Sequence, residues 1–203
     1  MNNFLKNKLK KELTKIFWHL VFGAGVFFWL YYLKLNYWYI LPALIPSIYS
    51  LRNHLGNFTR LFHGAYGEES VIEELHKHLS SSRIFANVWT GKGDIDVIVV
   101  GESGVSVIEI KNLRFPVRAG KNSVKYGRKE ILNQVDRNEE YVRSLLNRNG
   151  YRVPIKSYLL ILGKVKGKNS FIVKNTKELI KKIKSRSVLD TSQVREVAAV
   201  FSK

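Results

Sequence analysis

The chain has 203 residues, with 34 Lys/Arg against 16 Asp/Glu, a net charge of +18 and no cysteine. That length allows one domain with a real core plus an appendage, and the missing cysteine excludes disulfides, thiolate zinc sites and thiol nucleophiles. Residues 1–60 carry +7 and residues 61–203 carry +11, so both parts call for polyanionic partners, either nucleic acid or an anionic membrane surface.

Residues 1–15 hold Lys6, Lys8, Lys10, Lys11 and Lys15, and residues 16–33 have no formal charge with His19 neutral. Lys34 interrupts, residues 35–51 are again uncharged, and Arg52 and Arg60 follow. As helices the two runs each reach about 26 Å, near the lower limit for crossing a bilayer. Trp29, Tyr31, Tyr32, Tyr37, Trp38 and Tyr39 cluster around the turn, while Phe17 and Trp18 mark the other end, as two interfacial belts would. Pro42 and Pro46 weaken the second helix in water but are tolerated in a membrane. The apolar stretch outruns the core of a signal peptide, and no small-residue cleavage site is evident. The expectation is a membrane anchor over residues 1–60 that inserts residues 16–51 as two spans. The basic flanks then place residues 61–203 on the cytoplasmic side. An interfacial segment, or a soluble helical hairpin that makes a homo-oligomer, are the alternatives.

The second part, residues 61–203, reads as an α/β domain. Gly64 and Gly67 open a helical pattern with Val71, Ile72, Leu75 and Leu79 on one face. Glu68 shares that face and needs a partner there, whereas Glu69 falls with Glu73 and His76 on the polar face. Residues 84–90 read as a strand, and two apolar runs, 94–100 and 105–111, follow. Residues 113–119 and 123–126 form a more exposed hairpin. Residues 129–147 make a long amphipathic helix with Gln134, Asn138 and Tyr141 along its edge. Residues 155–162 are a buried strand and residues 171–173 a short one. Asn175 or Thr176 caps a helix that runs through Lys184, and Thr191 caps a last one.

The chemistry concentrates on the two apolar runs. If Gly101, Glu102, Ser103 and Gly104 form the loop of an antiparallel hairpin, Val100 pairs with Val105, Ile98 faces Val107, and Asp96 faces Glu109. Side chains directly opposite have Cβ atoms roughly 5 Å apart. Two carboxylates so close in an apolar setting do not both ionise, and a hard divalent cation between them removes the conflict. Lys111 lies two residues beyond Glu109 and points to the same face. Two metal-binding carboxylates beside an ammonium suit phosphodiester cleavage. His19, His54, His63, His76 and His78 show no ligand spacing, and no Gly-rich phosphate loop supports nucleotide hydrolysis.

The order helix, three strands, hairpin, helix, strand resembles the restriction-endonuclease-like core of the PD-(D/E)XK superfamily, and within it the NERD (nuclease-related) domain. The matching residues are Gly64, Gly67, Glu68 and Val71 on the first helix, Gly93 to Asp96 on the second strand, and Gly104 to Asn112 on the third. On the later helix Asn133, Gln134 and Asn138 match the family's Gln-x-x-x-Asn, although a proline common after that position is replaced by Gln134. The resemblance covers about residues 62–165. It implies metal-dependent cleavage of nucleic acid, DNA before RNA. Asp96, Glu109 and the Ile110 carbonyl would hold Mg²⁺ or Mn²⁺. Glu68 would complete the site or a second metal, Lys111 would position or deprotonate the attacking water, and Gln134 would orient the metal or substrate. The rival readings are a membrane-tethered nucleic-acid-binding module without turnover and a Holliday-junction resolvase-like enzyme.

Overall fold

The computed structural model describes residues 3–34, 41–91, 93–113, 115–185 and 187–202. The chain divides into two units, Met1–Ala65 and Tyr66–Lys203. In the first, helix α1 (Asn3–Leu33) lies beside the opening part of helix α2 (Leu41–His78). Glu12 bonds His54 at 2.8 Å and His19 bonds Ser50 at 2.7 Å, which makes the pair antiparallel. Phe17, Trp18, Phe22, Phe27, Phe28 and Trp29 of α1 are each more than half exposed. Lys6–Leu33 is the one helical stretch among the described residues that is long and apolar enough to cross a membrane. The second expected run, residues 35–51, falls partly outside the described residues. Its described portion opens α2, with Pro46 inside the helix.

Gly64 and Gly67 lie within α2, so they do not start a helix as expected. Each costs a helix about 1 kcal/mol relative to alanine, too little to end one whose later turns pack on a sheet.

The second unit continues with β1 (Arg83–Trp89), β2 (Asp94–Gly101), β3 (Gly104–Asn112), β4 (Val117–Ala119), β5 (Val124–Tyr126), β6 (Lys129–Glu130) and α3 (Leu132–Arg148). It ends with β7 (Ile155–Leu162), β8 (Val165–Gly167), β9 (Ile172–Val173), α4 (Thr176–Ile183) and α5 (Thr191–Ala199). The main sheet is mixed and ordered β1-β2-β3-β7-β9. β1, β2 and β3 are antiparallel, and β7 runs parallel to β3.

Helices cover both faces of this sheet. Val71, Leu75 and Leu79 of α2 join Leu179 and Ile183 of α4 over Val97, Val99, Ile108 and Ile110. On the other face Val142 and Leu146 of α3 join Val194 and Val197 of α5 over Ile98, Val100, Val105 and Val107. A second sheet, ordered β6-β5-β4-β8, rests on Leu159 and Ile161 of β7 and on Val135 of α3 through Val117 and Val124.

Four local expectations are corrected. Gly101 and Gly104 pair, so Glu102 and Ser103 alone turn the β2–β3 hairpin. Lys129 and Glu130 form strand β6, and α3 starts only at Leu132, because their backbones pair with Tyr126 and Lys125. The last helix is capped by Asp190, whose carboxylate accepts from the Gln193 N–H while Gln193 bonds back. β8 was not expected, since its residues carry no strand period and it exists only by pairing with β4. Asn175 caps α4 as expected.

Candidate active site

The hairpin register is the one the sequence implies, with Val100 opposite Val105 and Ile98 opposite Val107. Regular pairing stops at Val97 and Ile108, one residue before Asp96 would meet Glu109. On the other edge β2 pairs with β1 at Val97–Ala86 and Ile95–Val88 but not at Asp96. The residue opposite Asp96 there is Asn87, which has a left-handed φ of 55°. Asn tolerates that region better than other non-glycine residues.

Asp96 thus sits where β2 is unpaired on both sides. The distortion changes the phase of the strand. Ile95 packs on the α3 side with Ile98, although uninterrupted alternation would send it to the α2 side with Val97. The freed Asp96 carboxylate takes the place of a ladder partner and accepts the Ile110 N–H at 2.7 Å.

Glu109 is 1% exposed and projects to the α3 side of β3. Its Oε1 accepts from Lys111 Nζ, and its Oε2 accepts from Asn138 Nδ2 at 3.1 Å. The Asp96 carboxyl lies close enough to interact with that of Glu109. Burial, and then the neighbouring Asp96 charge, push the Glu109 carboxyl up to about 8. Burial also raises Asp96. Burial and mutual repulsion both favour the protonated form of this pair. Despite its burial, Lys111 is held above its ordinary range by the charges of Glu109 and Asp96, so it stays an ammonium.

Glu68 approaches from the α2 side. Burial and the charge of Asp96 raise it to about 7, partly offset by Lys111. Beside it, a Cβ on Gly67 would stand 2.8 Å from the Asn112 side chain, so glycine lets the helix close on the end of β3.

The structure therefore gathers Asp96, Glu109 and Lys111 at one point with Glu68 within electrostatic reach. Ile110 contributes its N–H, while its side chain is core. Gln134 is half-buried one turn before Asn138 and makes no hydrogen bond to the cluster. Sequence reading passed over Asn138 as a site residue. The signal was present, because Asn138 continues the buried stripe of Val135, Val142 and Leu146, and a buried amide needs a partner. Nothing in the sequence marked Asn87.

The donors are all oxygens, which suits a hard divalent ion. When both carboxyls ionise, two negative charges face the one Lys111 ammonium, and a cation would offset the excess. Among the described residues no three His, Asp or Glu side chains group closely enough to form a ligand set, so such an ion would rest on Asp96 and Glu109.

A family model described as the nuclease-related domain matches residues 63–162. This segment is similar to the NERD domain. It takes in Glu68, Asp96, Glu109, Lys111, Gln134 and Asn138, together with the second sheet up to β6, and it ends with β7. Comparison with curated proteins and with solved structures gave no match.

Proposed function

We propose that the NERD domain is a divalent-metal-dependent nuclease that hydrolyses phosphodiester bonds of nucleic acid, DNA before RNA, on a restriction-endonuclease-like core. The observation that carries this reading is the buried carboxyl pair Asp96–Glu109 with the Lys111 ammonium against it, inside the matched segment. Asp96 and Glu109 would hold Mg²⁺ or Mn²⁺, with the Ile110 carbonyl as a further oxygen donor. A bound ion supplies phosphate charge neutralisation and a more acidic water.

The chain's own groups do the rest. Asn138 fixes one Glu109 oxygen and leaves the other to Lys111. Lys111 keeps its proton in this setting, so it donates to a phosphate oxygen or orients the water. Glu68, near neutral pH at its midpoint, accepts or returns a proton at the edge of the site. Gln134 faces the substrate backbone one turn from Asn138. The α1 helix fixes the enzyme to a membrane, and the basic flanks hold the NERD domain on the cytoplasmic side.

The test is cleavage of plasmid DNA by the full chain with Mg²⁺, Mn²⁺ or chelator, beside Glu109→Gln. Metal-dependent cutting that the substitution abolishes supports the enzyme. Binding of DNA with no cutting under any metal leaves the tethered-binder reading, and cutting confined to four-way junctions leaves the resolvase-like one.

A further inference from the structure

The second sheet has no role in the chemistry above, yet its charge is strongly one-sided. Residues 115–131 and 163–169 contain eight Lys/Arg and one acid, Glu130. The register lines three of the cations in a row. Arg118 of β4 lies opposite Lys125 of β5 on one side and opposite Lys166 of β8 on the other. All three are exposed, while Val117 and Val124 beside them are fully buried, so the row occupies the outer face.

Neighbouring strands stand about 4.8 Å apart, and like charges directly opposite destabilise a sheet. Glu130 is the next residue across, opposite Lys125, but it does not neutralise the row. Its Oε1 accepts the N–H groups of Val124 at 2.7 Å and Leu132 at 3.3 Å, which ties it to the start of α3. Among the described residues none of the three cations has an acidic partner.

The sheet that carries the row packs, through its inner face, on the strand next to the carboxylates. In the main sheet Glu109 is paired with Leu159 and Lys111 with Ile161. Those same two β7 residues carry Val117 and Val124 of the second sheet. Val117 begins only six residues after Lys111, and an extended chain of six residues spans at most about 22 Å.

We propose that the outer face of β6-β5-β4-β8 is a docking platform for the phosphate backbone of nucleic acid, with Arg118, Lys125 and Lys166 each meeting phosphates and leading the strand towards Asp96 and Glu109. The inference rests on the nuclease reading and adds to it the surface that grips the substrate. A repeating row of unpaired cations complements a repeating row of phosphates, and releasing the condensed counterions drives the association. An anionic bilayer is the rival occupant. The packing of this sheet on β7, the neighbour of the strand that carries Glu109, favours nucleic acid.

The experiment uses the full chain in detergent with chelator present, so that binding is read without cutting. A short fluorescent DNA duplex is titrated over a salt series with wild type, with Arg118→Thr/Lys125→Thr/Lys166→Thr, and with the charge-matched control Lys177→Thr/Lys181→Thr/Lys184→Thr. The platform predicts that the first variant flattens the log–log salt slope by about 2 to 3, the share of three phosphate contacts, while the control keeps the wild-type slope. The set Arg118→Lys/Lys125→Arg/Lys166→Arg retains charge and fold and keeps the slope. An unchanged slope in the threonine variant overturns the platform, and Glu109→Gln, which binds but does not cut, then shows that the nuclease reading stands without it. Equal flattening by both triple variants overturns it too, as bulk charge. So does loss of binding to phosphatidylserine vesicles with DNA binding intact. Absence of duplex binding by the wild type at every salt removes the platform and the nuclease reading together.

Discussion

Glu109 is a buried acid that the fold tolerates only by keeping it protonated or paired. The sign of its effect on stability follows. Its folded midpoint of about 8, and that of Glu68 at about 7, lie above the ordinary 4.5. The stability they contribute is therefore present below about pH 4.5 and is lost as pH rises through about 7 to 8. We expect the Tm of metal-free protein to fall between about pH 5 and pH 8, and Mn²⁺ to restore it at the alkaline end. Scanning calorimetry across pH checks this, and a flat profile contradicts it. Glu109→Gln removes the group that resists ionisation. It should abolish cutting yet raise Tm at alkaline pH, the trade expected where a site is built at the expense of stability. Asn138→Ala leaves one Glu109 oxygen without its donor and should cost about 1–3 kcal/mol in urea unfolding.

At the scale of elements, the site depends on a strand that is interrupted at one residue. Asn87 with φ 55° stands opposite Asp96, and the phase of β2 changes there. Asn87→Gly should leave stability and cutting near wild type, because glycine adopts that φ freely. Asn87→Val should cost about 1–3 kcal/mol and lower cutting further, because a β-branched residue favours regular pairing that would pull Asp96 back into line. Equal activity in the two variants, measured on plasmid, would refute the role of the interruption. The β2–β3 turn is equally constrained. Gly104 has φ 106°, and a Cβ there would lie 2.3 Å from the Pro154 carbonyl oxygen, so Gly104→Ala should destabilise by more than about 1 kcal/mol. The strands themselves were legible as apolar runs between turn residues. The start of α3 was not, because Lys129 and Glu130 read as helix until β5 pairs with them.

Over the whole molecule, the two units ask different things of their surroundings. The α1 helix exposes Phe22, Phe27, Phe28 and Trp29, whereas the sheet domain buries its apolar residues between helices and strands. We expect most full-length protein to stay in the membrane fraction after alkaline carbonate washing. Replacing Val26 and Phe27 with Arg adds charges that each cost about 3 kcal/mol at a helix centre, so it should release or aggregate much of the protein. Recovery of the wild type in the soluble fraction would remove the membrane proposal. A reporter after Lys203 that reads as external would remove the cytoplasmic placement.

Local composition by itself determined the apolar N-terminal helix, the alternation of strands and helices, and the β2–β3 hairpin register from Val97–Ile108 to Val100–Val105. Each of these follows from the period of apolar residues and from one hairpin turn. Only the tertiary structure decided that Asn138 holds Glu109, that Asn87 interrupts the strand opposite Asp96, and that Arg118, Lys125 and Lys166 stand in one row. These depend on pairing between segments far apart in the chain, such as β4 with β8, and no short-range pattern records which strands will be neighbours.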